Sequence, residues 1–425
     1  MTNRLALSAL GRRTGAPPIS WLMSLALERR GLISLAAGFT DHETLPVREV
    51  RELLDEILDS RGPGQAALQY GTTAGDPALR RLTAQRVAAL DGSPSPGPAW
   101  SPDRVILTNG SQQLLYVISE ALCDPGDIVL VEDPTYFVYL GIVESHGLQA
   151  RGVRMENDGL DLAHLEAVLA ELKRAGQLRR VKLLYFISYH QNPTGISTAF
   201  EKKAGALALL RQYEKAAGHP IYLLEDAAYR ELRFAGRDAS SALAAKGGRD
   251  RVIYAGTYSK PFATGTRVGF GLLPEPLLTT VLRIKGNHDF GSSNLLQQLL
   301  ARAISSGRYE THLGALRRRY AAKARVMAEA MRAHFPPAVQ WAMPDGGLYF
   351  WARLPRSVRS GASSRLFETA LERQVLYVPG DLCYASDPSR RRPNHEMRLS
   401  FGAAPEKSLR AGIERLGGAL REMMA

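Results

Sequence analysis

The sequence predicts an α/β protein built on an open sheet, with a smaller α+β unit toward its carboxyl-terminal end. Three observations carry that expectation. Apolar, β-branched runs near residues 105, 128, 148, 182, 221, 252 and 268 read as buried strands, mostly separated by stretches of helical periodicity. Polar and charged residues gather where those runs end, which is where ligands sit in open α/β sheets. Beyond Pro336-Pro337 the pattern changes to glycine-opened strands between amphipathic helices.

Composition narrows the class. The 425 residues allow about two or three domains, and 45% hydrophobic with 23% charged residues is a globular composition. No apolar run approaches a membrane span, so no membrane partner is expected. Two cysteines, Cys123 and Cys383, are too few for a disulfide framework or a zinc site. They read as packed thiols in a reducing, cytoplasmic setting. The net charge of +12 raises the question of nucleic acid. The basic residues are scattered, however, and the clusters Arg317–Arg319 and Arg390–Arg392 have no aromatic interleaving. A solvated basic surface is expected, and no nucleic-acid partner. The first 27 residues carry Arg4, Arg12 and Arg13 and no acid, as transit peptides do. Against that, the mostly apolar stretch Ile19 to Arg30 runs unbroken into Leu32–Ala37, so the segment is expected to be built into the fold.

Each element has a local reason. Gly31 to Phe39 is a short strand ending in a turn, where Gly38 lets backbone approach a ligand. Val47 to Asp59 is an amphipathic helix. Leu68 to Gly75, with Tyr70, is a loop opening a helix capped by Asp76 with Pro77 in its first turn. On the residues alone, Tyr70 reads as packing. Ser93 to Pro98 is a surface loop. The strand Val105–Thr108 feeds Asn109-Gly110-Ser111-Gln112-Gln113 and a helix through Leu122. That turn is either an ordinary cap or an anion site made of free N–H groups at a positive dipole end. The strand Ile128–Val131 leads to Tyr136, whose ring either covers a ligand face or fills the rim. Leu148 to Val153 is a strand, and Leu160 to Ala175 a helix.

Val181 to Ser188 is a buried strand ending in a turn with Asn192 at its tip. His190 has no partner at metal-binding spacing, so no metal is expected. Phe200 to Ala217 is helical. After Ile221–Glu225, Asp226 and Tyr229 project from one strand end toward the same side.

The strand Val252–Thr257 runs into Ser259 and Lys260, and Arg267 precedes the strand Val268–Leu273. A lysine lowered into an apolar loop loses solvation for its charge and becomes a neutral nucleophile. Thr257, Ser259 and Arg267 are groups that hold phosphate. Two readings of this stretch stand: a solvated lysine at a strand end, or a nucleophilic amine beside a phosphate cradle, which suggests pyridoxal phosphate. Helices follow over Pro276–Lys285, Asn294–Ser306 and Tyr309–His334. Then come a strand Gly346–Trp351, a helix Ser363–Arg373, a short strand Val375–Val378, a strand Met397–Phe401 and a last helix Glu406–Met424. Arg398 at the centre of its strand is costly unless it meets an anion.

Nine stretches then carry a family resemblance. They are Leu68-Gln-Tyr-Gly71, Asn109-Gly-Ser-Gln-Gln113, Glu132-Asp-Pro-Thr-Tyr136, Gln191-Asn-Pro-Thr-Gly195, Glu225-Asp226 with Tyr229, Tyr258-Ser-Lys260, Arg267-Val-Gly-Phe270, Gly346-Gly347 and Arg398-Leu-Ser-Phe401. In this order they resemble class I/II aminotransferases of pyridoxal-phosphate fold type I, in the branch with 2-aminoadipate, kynurenine and aromatic aminotransferases. The resemblance runs from about residue 30 to 420.

It implies a mostly parallel seven-stranded sheet in a large cofactor-binding domain, 46–310, between an N-terminal arm or lid, 1–45, and a small α+β domain, 311–425. It implies that Lys260 binds pyridoxal 5'-phosphate covalently and shuttles a proton, and that Asp226 pairs with the pyridine nitrogen. Asn192 and Tyr229 are implied at the phenolic oxygen, Tyr136 on the ring face, and Ser111, Gln112, Thr257, Ser259 and Arg267 at the phosphate. Tyr70 is implied to reach in from the partner subunit of a homodimer. Arg398 is implied to take the substrate α-carboxylate, flanked by Gly38 and Asn192.

The departures are Ala227-Ala228 after Asp226, Tyr189-His190 before Gln191, and Pro261-Phe262 after Lys260. They bear on specificity, not on the cofactor. Trp21 falls near the place of a basic residue in the arm, and an apolar lid there favours aromatic or aliphatic donors over acidic ones. The reaction implied is amino transfer from an α-amino acid to a 2-oxo acid by a ping-pong mechanism. A lyase, decarboxylase or oxidase reaction on the same cofactor is the alternative. Transcription regulators carry this domain behind a winged helix, and the short stretch before residue 30 is too small for one.

Overall fold

The apolar runs become strands because turn residues bound them and β-branched side chains fit a pleated, buried surface. In the computed structural model, which describes residues 6–93, 95 and 97–425, there are thirteen. They are β1 (Ile33–Ser34), β2 (Val105–Asn109), β3 (Ile128–Asp133), β4 (Gln149–Glu156), β5 (Gly159–Leu160), β6 (Val181–Ile187) and β7 (Tyr222–Asp226), then β8 (Val252–Thr257), β9 (Val268–Leu272), β10 (Tyr349–Arg353), β11 (Val375–Leu376), β12 (Val378–Pro379) and β13 (Glu396–Ser400). Arg4, and Pro94 and Pro96 of the expected surface loop, lie outside the described residues.

One sheet has the order β2-β9-β8-β7-β6-β3-β4-β5. Its centre is parallel, from β8 through β7, β6 and β3 to β4. β9 runs against both neighbours. The seven expected strands are all present, and the eighth, β5, is a correction to that count. It folds back on β4 through Asn157-Asp158 and pairs at only two positions, too few to leave a periodic signal. The central strands β6 and β8 are buried along nearly their whole length, as strands covered on both faces must be.

Several helices were not legible, the short Ala9–Arg13 and Gly248–Arg251 among them. Phe137–Ser145 is apolar on all sides and so has no amphipathic stripe. Arg61–Leu68 contains Gly62-Pro63-Gly64, residues that normally break helices. Elsewhere local chemistry behaves as expected. The Asp76 carboxylate accepts from the Leu79 N–H at 2.7 Å, with Pro77 in the first turn of the helix Pro77–Leu90.

The topology decides where the chemistry lies. β2, β3, β6, β7 and β8 all end at one edge of the sheet. Because β9 is reversed, Arg267, the residue just before it, arrives at the same edge. A second sheet, β10-β13-β12, is antiparallel and sets Trp351 opposite Arg398. β1 pairs in parallel with β11, and Ser400 N–H donates to Leu35 O at 2.7 Å. The backbone Ala36–Phe39 is thereby laid beside β13. Among the described residues no helix is long and apolar enough to cross a membrane.

The end of β7 is braced by buried charge. Lys203 and Glu225, both fully buried, lie 3.2 Å apart. Glu225 also accepts from Ser188 Oγ and Ala242 N, each at 2.7 Å, and the Lys203 ammonium sits 3.7 Å from the centre of the Tyr189 ring. Removing one partner strands the other charge in the core. Lys203→Met should therefore lower stability by about 3–5 kcal/mol, measured as a drop in urea midpoint at unchanged slope.

Candidate active site

At the shared strand edge lies a cavity of about 140 Å³. Ten of the expected residues line it: Ser111, Gln112, Tyr136, Asn192, Asp226, Tyr229, Thr257, Ser259, Lys260 and Arg267. Most come from the end of a strand or the turn that follows; Ser111 and Gln112 lie in the first turn of a helix and Arg267 just before β9.

Lys260 is half-buried, and its Nζ donates to Gly38 O at 2.7 Å. No carboxylate pairs with it among the described residues. Burial comes first, and the nearby positive charges of Arg267 and Arg398 add to it. Together they bring the amine down to about 8. Facing it across the cavity is Asp226, at the end of β7. Its carboxylate accepts from Tyr185 Oη at 3.0 Å and from Ala228 N at 3.0 Å. Burial outweighs these bonds and pushes its pKa up to about 6.

A second group of side chains is suited to an anion. Ser111 and Gln112 open the helix Gly110–Leu122, whose first N–H groups have no intrahelical partner. A Cβ on Gly269 would stand 2.3 Å from Ser111 N, so only glycine lets β9 press against this helix start. Arg267 adopts a left-handed backbone, φ 50°, a costly conformation for a residue with a Cβ. Its Nη1 donates to Ser259 Oγ at 3.3 Å and to Thr264 O at 3.3 Å. Ser259 N donates to Thr257 Oγ1 at 3.1 Å, which closes the turn around the cavity.

A third group joins the two sheets. Arg398 is only 1% exposed. It donates from Nη1 to Asn192 Oδ1 at 2.7 Å and from Nη2 to Ala36 O at 2.6 Å. Its guanidinium lies 4.3 Å from the Tyr349 ring centre and 5.4 Å from that of Phe137. No acid pairs with it among the described residues, and its Nε is buried without a partner. Asn192 Nδ2 reaches Tyr229 Oη at 3.5 Å.

Gly38 is in place, and a Cβ there would stand 2.6 Å from Tyr349 Oη. Trp21 does not line this cavity, and neither does Tyr70, which was expected at a partner's site. Trp21 stacks on Phe367 at 5.6 Å and is 39% exposed, not turned over the cavity. It lies on the helix Pro18–Glu28, whose buried contact is made by Leu22. Tyr70 is 81% exposed and packs edge-on against Phe290, away from the cavity of its own chain. Two residues escaped the sequence reading: Tyr185, which holds Asp226, and Tyr349, which touches Arg398 and Tyr229. Both sit in apolar strand runs, where a tyrosine looks like any core aromatic.

The comparisons with known proteins agree on a family. The family model described as aminotransferase class I and II matches residues 30–416. Among curated proteins, the chain is 32% identical over 417 residues to aromatic-amino-acid aminotransferase 1 of Thermococcus litoralis, covering 98% of this chain and 94% of that one. It is 31% identical over 422 residues to the 2-aminoadipate transaminase of Thermus thermophilus, with 98% of each covered. Among solved structures, the Pyrococcus horikoshii kynurenine aminotransferase, in complex with PMP, superposes with a TM-score of 0.88. It is 30% identical and covers 99% of this chain and 98% of its own. Matched over nearly its whole length, this chain belongs to the aminotransferase class I and II family, pyridoxal-phosphate-dependent enzymes that move an amino group from an amino acid to a 2-oxo acid.

Proposed function

We propose that the cavity at the strand ends is the transamination site, with pyridoxal 5'-phosphate held by Lys260. The observation that carries this reading is a half-buried lysine amine with no ion-pair partner among the described residues, sharing one small cavity with a buried aspartate and a phosphate-type donor set. The fit is chemical. Ser111, Gln112, Thr257, Ser259 and Arg267 supply hydroxyl, N–H and guanidinium donors at one end. Asp226 supplies a carboxylate at the other, and Tyr136 a ring at the face.

When bound, pyridoxal phosphate supplies an electron sink for the pair released at the substrate α-carbon. The chain's residues do the rest. Lys260, as a neutral amine, would hold the cofactor covalently and, once displaced by the donor's amino group, would take the proton from the donor's α-carbon. Asp226 would keep the pyridine nitrogen protonated and stay ionised beside it. Tyr229 and Asn192 would hydrogen-bond the phenolic oxygen. Arg398 offers its unpaired Nε edge to the substrate α-carboxylate, with Asn192 and Gly38 beside it.

The donor side chain is proposed to be apolar or aromatic. A cleft of about 440 Å³ flanks the Ala36–Phe39 backbone, and no charged residue lines it; Leu22, Met23, Ile33 and Phe39 do. Trp21 is a further part of this arm. We take 1–45 as an arm, 46–310 as the cofactor-binding domain and 311–425 as the small domain, in keeping with the separate sheets. A homodimer is proposed in which Tyr70, exposed on its own chain, completes the neighbour's phosphate site. Two buried free thiols, Cys123 and Cys383, support a reducing, cytoplasmic location.

Three outcomes are expected. Lys260→Ala should lose roughly 1000-fold or more in amino transfer while still binding the cofactor without a covalent link; turnover at the parent rate would remove Lys260 from its role. The rate at which cofactor-free protein captures pyridoxal phosphate should rise with pH and level off above about 8, as the amine loses its proton. A rate flat from pH 6 to 9 in stopped-flow absorbance would contradict a depressed amine. In single-turnover bleaching of the bound cofactor, phenylalanine and leucine should outpace 2-aminoadipate by about ten-fold, and the reverse order would refute the apolar-donor reading.

A further inference from the structure

Tyr349 belongs to none of the groups assigned above, yet it touches three of them. It is buried at the start of β10. Its ring lies under the Arg398 guanidinium, 4.3 Å away, and edge-on to the Tyr229 ring at 5.7 Å. Its hydroxyl is 3.1 Å from Tyr229 Oη. Gly38 fits against that same hydroxyl only because it has no Cβ.

The hydrogen-bond roles here follow by elimination. Arg398 can only donate, so the Asn192 oxygen it meets is the acceptor, and Asn192 must present its NH₂ to Tyr229. The oxygen of Tyr229 therefore accepts from Asn192. If Tyr349 also donates, Tyr229 accepts from both of its protein neighbours. Tyr229 lines the cavity and Tyr349 does not. The one proton Tyr229 carries is then left to point into the cavity. The reverse arrangement would turn that proton away from the cavity, toward Tyr349.

We propose that Tyr349 is a positioning residue that, by donating its hydroxyl proton to Tyr229, commits the Tyr229 proton to the phenolic oxygen of the cofactor. This rests on the assignment of the cavity to pyridoxal phosphate. A donor hydrogen bond received by Tyr229 strengthens the one it gives. The phenolic oxygen is then held better as an anion, and the nitrogen linking Lys260 to the cofactor loses its proton at lower pH. The ring of Tyr349 separately supports Arg398, so hydroxyl and ring have separable effects.

The experiment is a pH titration of the visible absorption of the Lys260-bound cofactor in the holoenzyme. It compares the parent protein, Tyr349→Phe, Tyr229→Phe and the double variant, with KM for the amino donor measured alongside. Tyr349→Phe keeps the ring. It should raise the absorption midpoint by about half to one pH unit, with KM changed less than about two-fold. Tyr229→Phe should raise the midpoint further, and the double variant should match Tyr229→Phe, because Tyr349 acts through it. A midpoint unmoved in Tyr349→Phe but moved in Tyr229→Phe overturns this inference alone. A midpoint unmoved in both also overturns the placement of Tyr229 at the phenolic oxygen. Additive shifts in the double variant would show that Tyr349 does not act through Tyr229, and would overturn the proposal as well.

Discussion

A guanidinium buried without a carboxylate is a costly group, and the architecture around Arg398 is arranged to tolerate it. Taking such a charge out of water costs several kcal/mol unless partners replace the lost solvation. Arg398 receives its partners from four separate parts of the chain: Asn192 after β6, the Ala36 carbonyl after β1, and the ring faces of Tyr349 on β10 and Phe137 after β3. Those contacts are what bring the arm, the large sheet and the small sheet to one point. Three of its five N–H groups, that of Nε among them, are left over, and an anionic group is their natural complement.

The other end of the cavity solves the opposite problem, the gathering of donors for an anion. Close approach is the limiting requirement there. Gly269 lets β9 lie against the start of the helix Gly110–Leu122, and Arg267 takes a strained left-handed turn to aim back at Ser259. Between the two ends, Lys260 and Asp226 are pushed by burial toward their neutral forms, one downward and one upward. Desolvation therefore acts on both groups at once. A bound cationic ring nitrogen would reverse its effect on Asp226 while leaving the amine reactive.

Much of this was legible before any coordinates, for identifiable reasons. Lys260, Asp226, Asn192 and Arg267 are polar residues at the ends of apolar strands, and a strand end is visible as a break in pattern. The unread parts share the absence of such a break. Tyr185 and Tyr349 stand inside apolar runs, the helix Phe137–Ser145 is apolar all round, and β5 is two residues long. Trp21 was placed by analogy of position, and the local packing against Phe367 turned it elsewhere. Tyr70 lies at a surface, which a single chain's sequence describes only as polar or apolar. Pairing partners across sheets, such as Tyr349 with Tyr229, depend on tertiary approach that no local pattern encodes.

The arm meets the catalytic groups through its main chain. Ala36 offers a carbonyl to Arg398, and Gly38 offers one to Lys260. A carbonyl oxygen is present whatever side chain its residue carries. Apart from Gly38, which must stay small, and the buried Leu22, Leu35 and Ala36, substitutions between residues 18 and 39 leave these two main-chain contacts in place. The proposed preference for one amino donor can therefore drift there while both contacts are kept. A scaffold wired this way is suited to gene duplication followed by a change of diet.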